Sequence, residues 1–212
     1  MIRLLPREFY TRSDVIRVAR ELLCKCLVTQ IDGQLTSGMI VETEAYEGVT
    51  DRASHAFNNR RTERTAIMYR NGGTAYVYLC YGIHSLFNVV TNREGIPHAV
   101  LIRGIVPLEG VETMLKRVRR SNASSNMGIG PGKVSKMLGI HYSHTGLDLT
   151  REPGGRNETC IWIEDRGILA DPKTIVSGPR IGVDYAGGDA LLPYRFRLEK
   201  KKAEPVDSAL TL

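Results

Sequence analysis

The sequence predicts a mixed α/β fold of the α+β class, organised as a single compact domain, and three observations carry that expectation. A chain of 212 residues with 42% hydrophobic content can bury one substantial core, and its length favours one domain over two. Two turn signals, Asp32-Gly33 and Tyr81-Gly82, each separate β-prone runs, as hairpins require. Between and around these hairpins lie stretches with helical spacing of apolar residues.

Ser13, followed by Asp14 to Leu23, opens the first of these stretches: apolar residues at 15, 18, 19, 22 and 23 make a capped amphipathic helix. Leu27 to Ile31 and Gln34 to Val41 then form a hairpin about Asp32-Gly33. Its second strand feeds an acidic run, Glu42-Thr43-Glu44-Ala45-Tyr46-Glu47-Gly48. Strand alternation puts Glu42 and Glu44 on one face and Thr43 and Ala45 on the other. By pattern alone, the two glutamates are either a solvated strand end or part of a cleft. Thr50 to Arg64, with Arg52, His55, Arg60, Arg61 and Arg64, reads as an exposed basic loop entering a short helix near Thr65 to Arg70. Such a loop serves either solubility or a phosphate contact.

Asn71-Gly72-Gly73 is a turn, and Thr74 to Tyr81 alternates strictly. Ala75, Val77 and Leu79 share one face, and Tyr76, Tyr78 and Cys80 the other. After Tyr81-Gly82, Ser85 to Thr91 returns as the second arm of a hairpin with a tyrosine at its tip. Ala99 to Val106 is a nearly continuous apolar strand holding a single arginine, Arg103, which needs a charged partner if buried; Glu44 and Glu42 are the candidates. A helix starting near Pro107 and Glu109 ends in Lys116 to Arg120, cations suited to a helix C-terminus. Gly130-Pro131-Gly132-Lys133 opens another short helix, either a plain helix start or a phosphate holder. Short strands are expected around Ile161 to Ile163, Arg180 to Val183 and Tyr194 to Leu198, and Lys200 onward reads as a frayed tail.

A formal charge of +6 suits a polyanionic partner or simple solubility. No apolar stretch approaches the roughly 20 residues of a membrane helix and no leader pattern is visible, so a soluble protein without a membrane partner is expected. Cys24, Cys26, Cys80 and Cys160 fit neither a paired zinc scheme nor a disulfide framework, and reduced thiols are expected. A metal-dependent nuclease would draw on Glu42, Glu44, His55, His141 or His144, but their spacing matches no metal motif. No metal and no cofactor are expected.

Taken in order, the Val-Glu-Thr-Glu-Ala-Tyr run, the Tyr-Val-Tyr-x-x-Tyr-Gly hairpin and the Leu-Ile-Arg-Gly strand resemble the alkyladenine (3-methyladenine) DNA glycosylase family. Val41 to Tyr46, Thr74 to Asn88, Ala99 to Gly110 and Arg180 to Gly187 fall in register, so the resemblance spans nearly the whole chain. It implies a curved, mainly antiparallel β-sheet flanked by helices, with a protruding β-hairpin. It also implies a monofunctional hydrolase that removes 3-methyladenine, 7-methylguanine, hypoxanthine and ethenoadenine from double-stranded DNA and so initiates base excision repair. A monomer is expected, in the cytoplasm with the nucleoid if bacterial or in the nucleus if eukaryotic.

Residue by residue, the resemblance makes Glu44, at the mouth of a tyrosine-lined hole, the general base. It gives Arg103 and the main-chain carbonyl of Ile181 the holding of the attacking water. Tyr46, His55 and Tyr78 line a stacking slot for the everted base, and Asn88 guards against normal guanine. Tyr81 is the wedge in the DNA stack, and Ile83 and His84 follow it in the groove. Taken without chemistry, Tyr76 and Tyr78 simply cover a sheet face, and the competing reading of the chain is a non-catalytic nucleic-acid-binding module that uses the charge and the aromatic hairpin.

Overall fold

Asp32 and Gly33 both take positive φ, 54° and 68°, the backbone of a tight hairpin turn, so the first hairpin forms as its turn residues dictate. The computed structural model describes residues 3–124, 126–151, 153–155 and 157–199. In chain order its elements are β1 (Arg3–Leu4), α1 (Arg7–Tyr10), α2 (Val15–Glu21), β2 (Cys26–Ile31), β3 (Gln34–Tyr46), α3 (Glu63–Ala66), β4 (Ala75–Cys80), β5 (His84–Thr91), β6 (His98–Glu109), α4 (Val111–Val118), α5 (Pro131–Leu138), β7 (Cys160–Asp165), β8 (Ile175–Gly178) and β9 (Arg195–Leu198). The strands form one antiparallel sheet in the order β1-β7-β2-β3-β6-β5-β4, with β9 pairing both β3 and β8. The sheet curls into a half-barrel within a single mixed α/β domain. The tail expected from Lys200 onward lies outside the described residues.

Strand β3 organises the molecule. It does not end at Val41 but runs on through the acidic stretch to Tyr46. Strand β6 follows it along one edge, while β2 covers the first half of the other edge and β9 takes over at Glu42, Thr43 and Glu44. The two glutamates therefore sit in the interior of the sheet, and both side chains are buried.

Two rows crossing the sheet show what strand alternation achieves. Ala45, Val100, Val89 and Ala75 stand opposite one another on β3, β6, β5 and β4, all fully buried in the main core. One residue out of phase, Glu44, Leu101, Asn88 and Tyr76 form the neighbouring row on the opposite face. Thr43, on the core face, donates its hydroxyl to the Ala19 carbonyl of α2 at 2.9 Å and so locks helix to strand.

Several boundaries differ from expectation. Helix α2 is capped by Asp14, whose carboxylate accepts from the Arg17 N–H at 2.9 Å, rather than by Ser13. The segment from Thr50 is less exposed than its polarity suggests, because Asp51, Ala53, Ser54 and Ala56 are buried while the arginines face outward. Its helix begins earlier, at Glu63, where Thr62 supplies a capping box. Pro107 to Glu109 belong to β6, because Ser37 and Gly38 pair with them, and α4 starts only after Gly110 at φ 68°. Arg117, in the last turn of α4, donates to the Met137 carbonyl at 3.0 Å and to Thr36 Oγ1 at 3.2 Å. Arg180 to Val183 is a loop following Pro179, not a strand; the strand of this region is β8, just upstream. Cys24, Cys26 and Cys160 are buried and Cys80 half-buried, all as free thiols. No helix among the described residues is long and apolar enough to cross a membrane.

Gly110 shows how tightly these boundaries are set: a Cβ there would lie 2.3 Å from the Leu35 carbonyl oxygen, on a backbone that already disfavours side chains. Gly110→Ala is expected to destabilise the fold by more than about 1 kcal/mol, read as a lower midpoint in urea unfolding; an unchanged midpoint would contradict this.

Candidate active site

The pocket-facing row of the sheet carries the chemistry. Glu44, with 0% exposure, sits in a carboxylate cage: the Ile181 N–H donates to its Oε1 at 2.8 Å and the Tyr46 hydroxyl to its Oε2 at 2.8 Å. Arg103 Nε lies 3.3 Å from Oε1 of both Glu44 and Glu42, so the lone arginine of β6 serves both acids. Glu42 in turn takes Arg195 Nη1 at 3.1 Å, so β9 contributes the second cation. Burial pushes the Glu44 carboxyl above the ordinary carboxylate range; Arg103, the Ile181 N–H and the Tyr46 hydroxyl pull it back, while Glu42 adds to the upward push.

Beside this cage lies a cavity of about 290 Å3, at the small end of the ~300–1,000 Å3 spanned by ligand pockets. Its walls are largely aromatic, with Tyr46, His55, Tyr76, Tyr78 and Tyr185, and Asn88, Leu101, Arg103 and Ile181 are among the other lining residues. Glu44 itself is not on the wall. Expected at the mouth of the hole, it lies one layer behind, because Tyr46, Arg103 and Ile181, the groups that hold it, are the ones that face the cavity. Sheet register is the cause, since the row that carries Glu44 is flanked on both sides by paired strands.

His55 packs its ring edge-on against Tyr78 with centroids 4.7 Å apart. Its Nδ1 is 2.8 Å from the Tyr76 hydroxyl and its Nε2 3.3 Å from Arg64 Nη2. A guanidinium only donates, so Nε2 accepts and the ring proton sits on Nδ1. Burial, and then the nearby Arg64 and Arg60, lower the His55 pKa to about 4, leaving it uncharged at neutral pH. Asn88 is buried and its amide nitrogen donates to the Tyr76 and Leu86 carbonyls, both at 3.2 Å, so the side chain cannot swing away from the wall.

The second hairpin delivers Tyr81 to its tip, 91% exposed, at φ 51° with Gly82 at φ 71°. Ile83 is 73% exposed beside it. His84 is exposed as well, yet its base leans on Gly132 at the start of α5, where an added Cβ would be 3.2 Å away. Neither Ile83 nor His84 lines the cavity, whereas Tyr81 does. Of the ten site residues expected, Tyr46, His55, Tyr78, Tyr81, Asn88, Arg103 and Ile181 therefore share one cavity, Glu44 backs it, and two flank the tip. The Ile181 contact seen here is made by its N–H, not its carbonyl.

Sequence reasoning missed a second charged pair behind the wall, Asp51 and Arg180, and the exposed Tyr185 at the rim. A neighbouring cavity of about 450 Å3 shares His55 and Tyr185 and has Arg52, Arg60 and Arg64 among its other lining residues. A larger cavity, about 1000 Å3, between α1, α2 and residues 165–175 shares no lining residue with the aromatic one. Among the described residues no three His, Cys, Asp or Glu side chains gather as a metal site would require.

A family model described as Methylpurine-DNA glycosylase (MPG) matches residues 8–202. Proteins provisionally named 3-methyladenine DNA glycosylase are similar along nearly their full length. The one from Chlamydia felis is 45% identical, over 96% of this chain and 100% of its own. That from Desulfitobacterium hafniense is 44% identical over 92% and 95%, and that from Bacillus mycoides 40% identical over 92% and 96%. The chain belongs to the methylpurine-DNA glycosylase family, and so to the hydrolases that act on N-glycosyl bonds, with DNA as its substrate.

Proposed function

We propose that this enzyme everts alkylated or deaminated purines, among them 3-methyladenine, 7-methylguanine, hypoxanthine and ethenoadenine, from duplex DNA into the aromatic cavity. There it hydrolyses the N-glycosidic bond with a water activated by Glu44, the first step of base excision repair, acting as a monomer. The observation that carries this reading is the pairing of a small tyrosine-walled cavity with a fully buried carboxylate held at three points behind it. Oε1 accepts from the Ile181 N–H and faces the Arg103 charge, and Oε2 accepts from the Tyr46 hydroxyl, with a further lone pair on Oε2 for the water.

In the reaction the bond between the anomeric carbon and the purine nitrogen breaks, and the departing base keeps the electron pair. The water oxygen bonds the anomeric carbon, and its proton passes to Glu44. Positive charge developing on the sugar is stabilised by the same carboxylate, whose field is strong because the site is dry. A pKa raised by burial makes Glu44 a better base than a solvated carboxylate. Purines alkylated at N3 or N7 already carry positive charge and leave as neutral molecules, whereas hypoxanthine and ethenoadenine, neutral in DNA, must gain one proton on leaving, which balances the proton that Glu44 takes from the water.

Tyr46, Tyr78 and His55 supply the stacking slot, where base-on-aromatic contact is worth about 1–3 kcal/mol per base. An uncharged His55 suits a slot for cationic bases, which a protonated imidazole would repel. Asn88, pinned by two carbonyls, fills the space that the exocyclic amino group of guanine would need. Tyr81, at the exposed tip of a paired hairpin, fills the gap left by the everted nucleotide. Arg52, Arg60 and Arg64, exposed beside the slot, are suited to backbone phosphates.

Three outcomes are expected. Glu44→Gln should lose base release from an ethenoadenine duplex by about 10²- to 10⁴-fold while retaining duplex binding. Full base release by this variant would remove Glu44 as the base, and absence of base release by the wild-type chain would leave only the non-catalytic module. Tyr81→Ala should weaken binding and excision together in gel-shift and single-turnover assays, and parity with wild type would remove the wedge. The lowered pKa of His55 means that the unfolded chain binds its proton first. Stability is then retained above about 6.5 and lost as pH falls toward about 4. His55→Gln should flatten urea-unfolding stability across that window, and an unchanged slope would count against a buried neutral ring.

A further inference from the structure

Resting on the reading of Glu44 as the base, we propose that Arg180, gripped by Asp51, is a positioning residue that sets the two hydrogen-bond donors of the Glu44 carboxylate. Arg180 makes no contact with Glu44 and does not line the aromatic cavity, so beyond the coulombic attraction between the two charges its effect on the reaction passes through its neighbours. Its fork meets both oxygens of Asp51, with Nη2 to Oδ1 at 2.8 Å, and the two side chains are 0% and 1% exposed. Nη1 also donates to the Ala45 carbonyl at 2.9 Å and Nη2 to the Asp189 carbonyl at 3.1 Å. The guanidinium lies over the Tyr46 ring at 4.8 Å and over the Tyr194 ring at 5.3 Å.

These contacts converge on the chain neighbours of both donors. Ala45 stands between Glu44 and Tyr46, and the Tyr46 ring that Arg180 covers carries the hydroxyl bound to Oε2. Ile181, whose N–H binds Oε1, is the next residue after Arg180. One planar cation thus ties β3, the loop holding Asp51 and the loop holding Ile181 into a fixed arrangement around the carboxylate. A buried ion pair is weak evidence for stability as such. Its value here is geometric, since the bidentate fork and the stacked face are features that a lysine ammonium cannot reproduce.

The groups facing Glu44 are Glu42 and Tyr46 on its own strand, Arg103 from β6, the Ile181 loop with Arg180 behind it, Tyr78 from β4 acting on Tyr46, and Arg195 from β9 tied to Glu42. Loosening the Tyr46 and Ile181 donors removes stabilisation of the ionised carboxylate and leaves its burial unopposed, so the acid limb of activity should move to higher pH.

Single-turnover base release from an ethenoadenine duplex, followed against pH, tests this with Arg180→Lys and Asp51→Asn. Both should keep duplex affinity, lose about 10- to 100-fold in maximal rate and shift the acid limb upward. Tyr46→Phe should shift it the same way, and Arg180→Lys combined with Tyr46→Phe should shift it by less than the sum. Arg166→Lys, which disturbs an ion pair outside the cavity lining, should lower stability without moving the limb. If Arg180→Lys does not fold, Asp51→Asn decides alone. Folded variants with the wild-type limb would overturn the positioning role. A wild-type chain that releases no base would instead overturn the reading of Glu44, and the inference with it.

Discussion

A carboxylate with no exposure to water is the constraint around which this molecule is arranged. Burying an ion is costly unless hydrogen bonds and opposite charge surround it, and here they come from four separate stretches of chain. Tyr46 lies two residues along the same strand, Arg103 comes from the adjacent β6, Ile181 from the loop after β8, and Arg195 balances the second acid from β9. Strands β6 and β9 are fixed by pairing with β3, and β8, which leads into the Ile181 loop, by pairing with β9, so the sheet topology and the electrostatics of the site are one design.

The same register that buries Glu44 builds the cavity. Moving one residue along β3, β6, β5 and β4 changes the row from Ala45, Val100, Val89 and Ala75 to Glu44, Leu101, Asn88 and Tyr76. Core and site are thus the two faces of one set of strands, and a slip of a single residue would exchange them. The hairpin of β4 and β5 extends from this shared scaffold, which is why its tip tyrosine stands exposed while its arm tyrosines form a wall.

Much of this was legible in the sequence, where local chemistry decides. Asp32-Gly33 and the glycine of Tyr81-Gly82 have the backbone preferences of their turns. Alternation from Thr74 separates Ala75 and Val77 in the core from Tyr76, Tyr78 and Cys80 at the pocket, while Leu79, nearer the tip, is exposed. The need of a buried arginine for an acid pointed from Arg103 to Glu42 and Glu44 before any contact was visible. What escaped depends on partners distant in the chain. Val41 marks a strand end only if β9 is not known to pair with Glu42 to Glu44, and Glu44 sits behind the wall rather than at its mouth for the same reason. Asp51 and Arg180 are 129 residues apart, and nothing local distinguishes either from a solvated charge. Pro107 to Glu109 look like a helix start until Ser37 and Gly38 are seen to pair with them.

Catalysis by Glu44 requires an ionised carboxylate at neutral pH, while burial, which the Arg103 charge and the Ile181 and Tyr46 donors only partly offset, raises its carboxyl above the ordinary carboxylate range. Titration of its carboxyl by carbon-13 NMR, assigned by comparison with Glu44→Gln, measures that state directly. The expected midpoint lies above that of solvated glutamates, with the ionised form dominant at neutral pH. A midpoint at or below the solvated value, or a carboxyl still protonated at neutral pH, would contradict this.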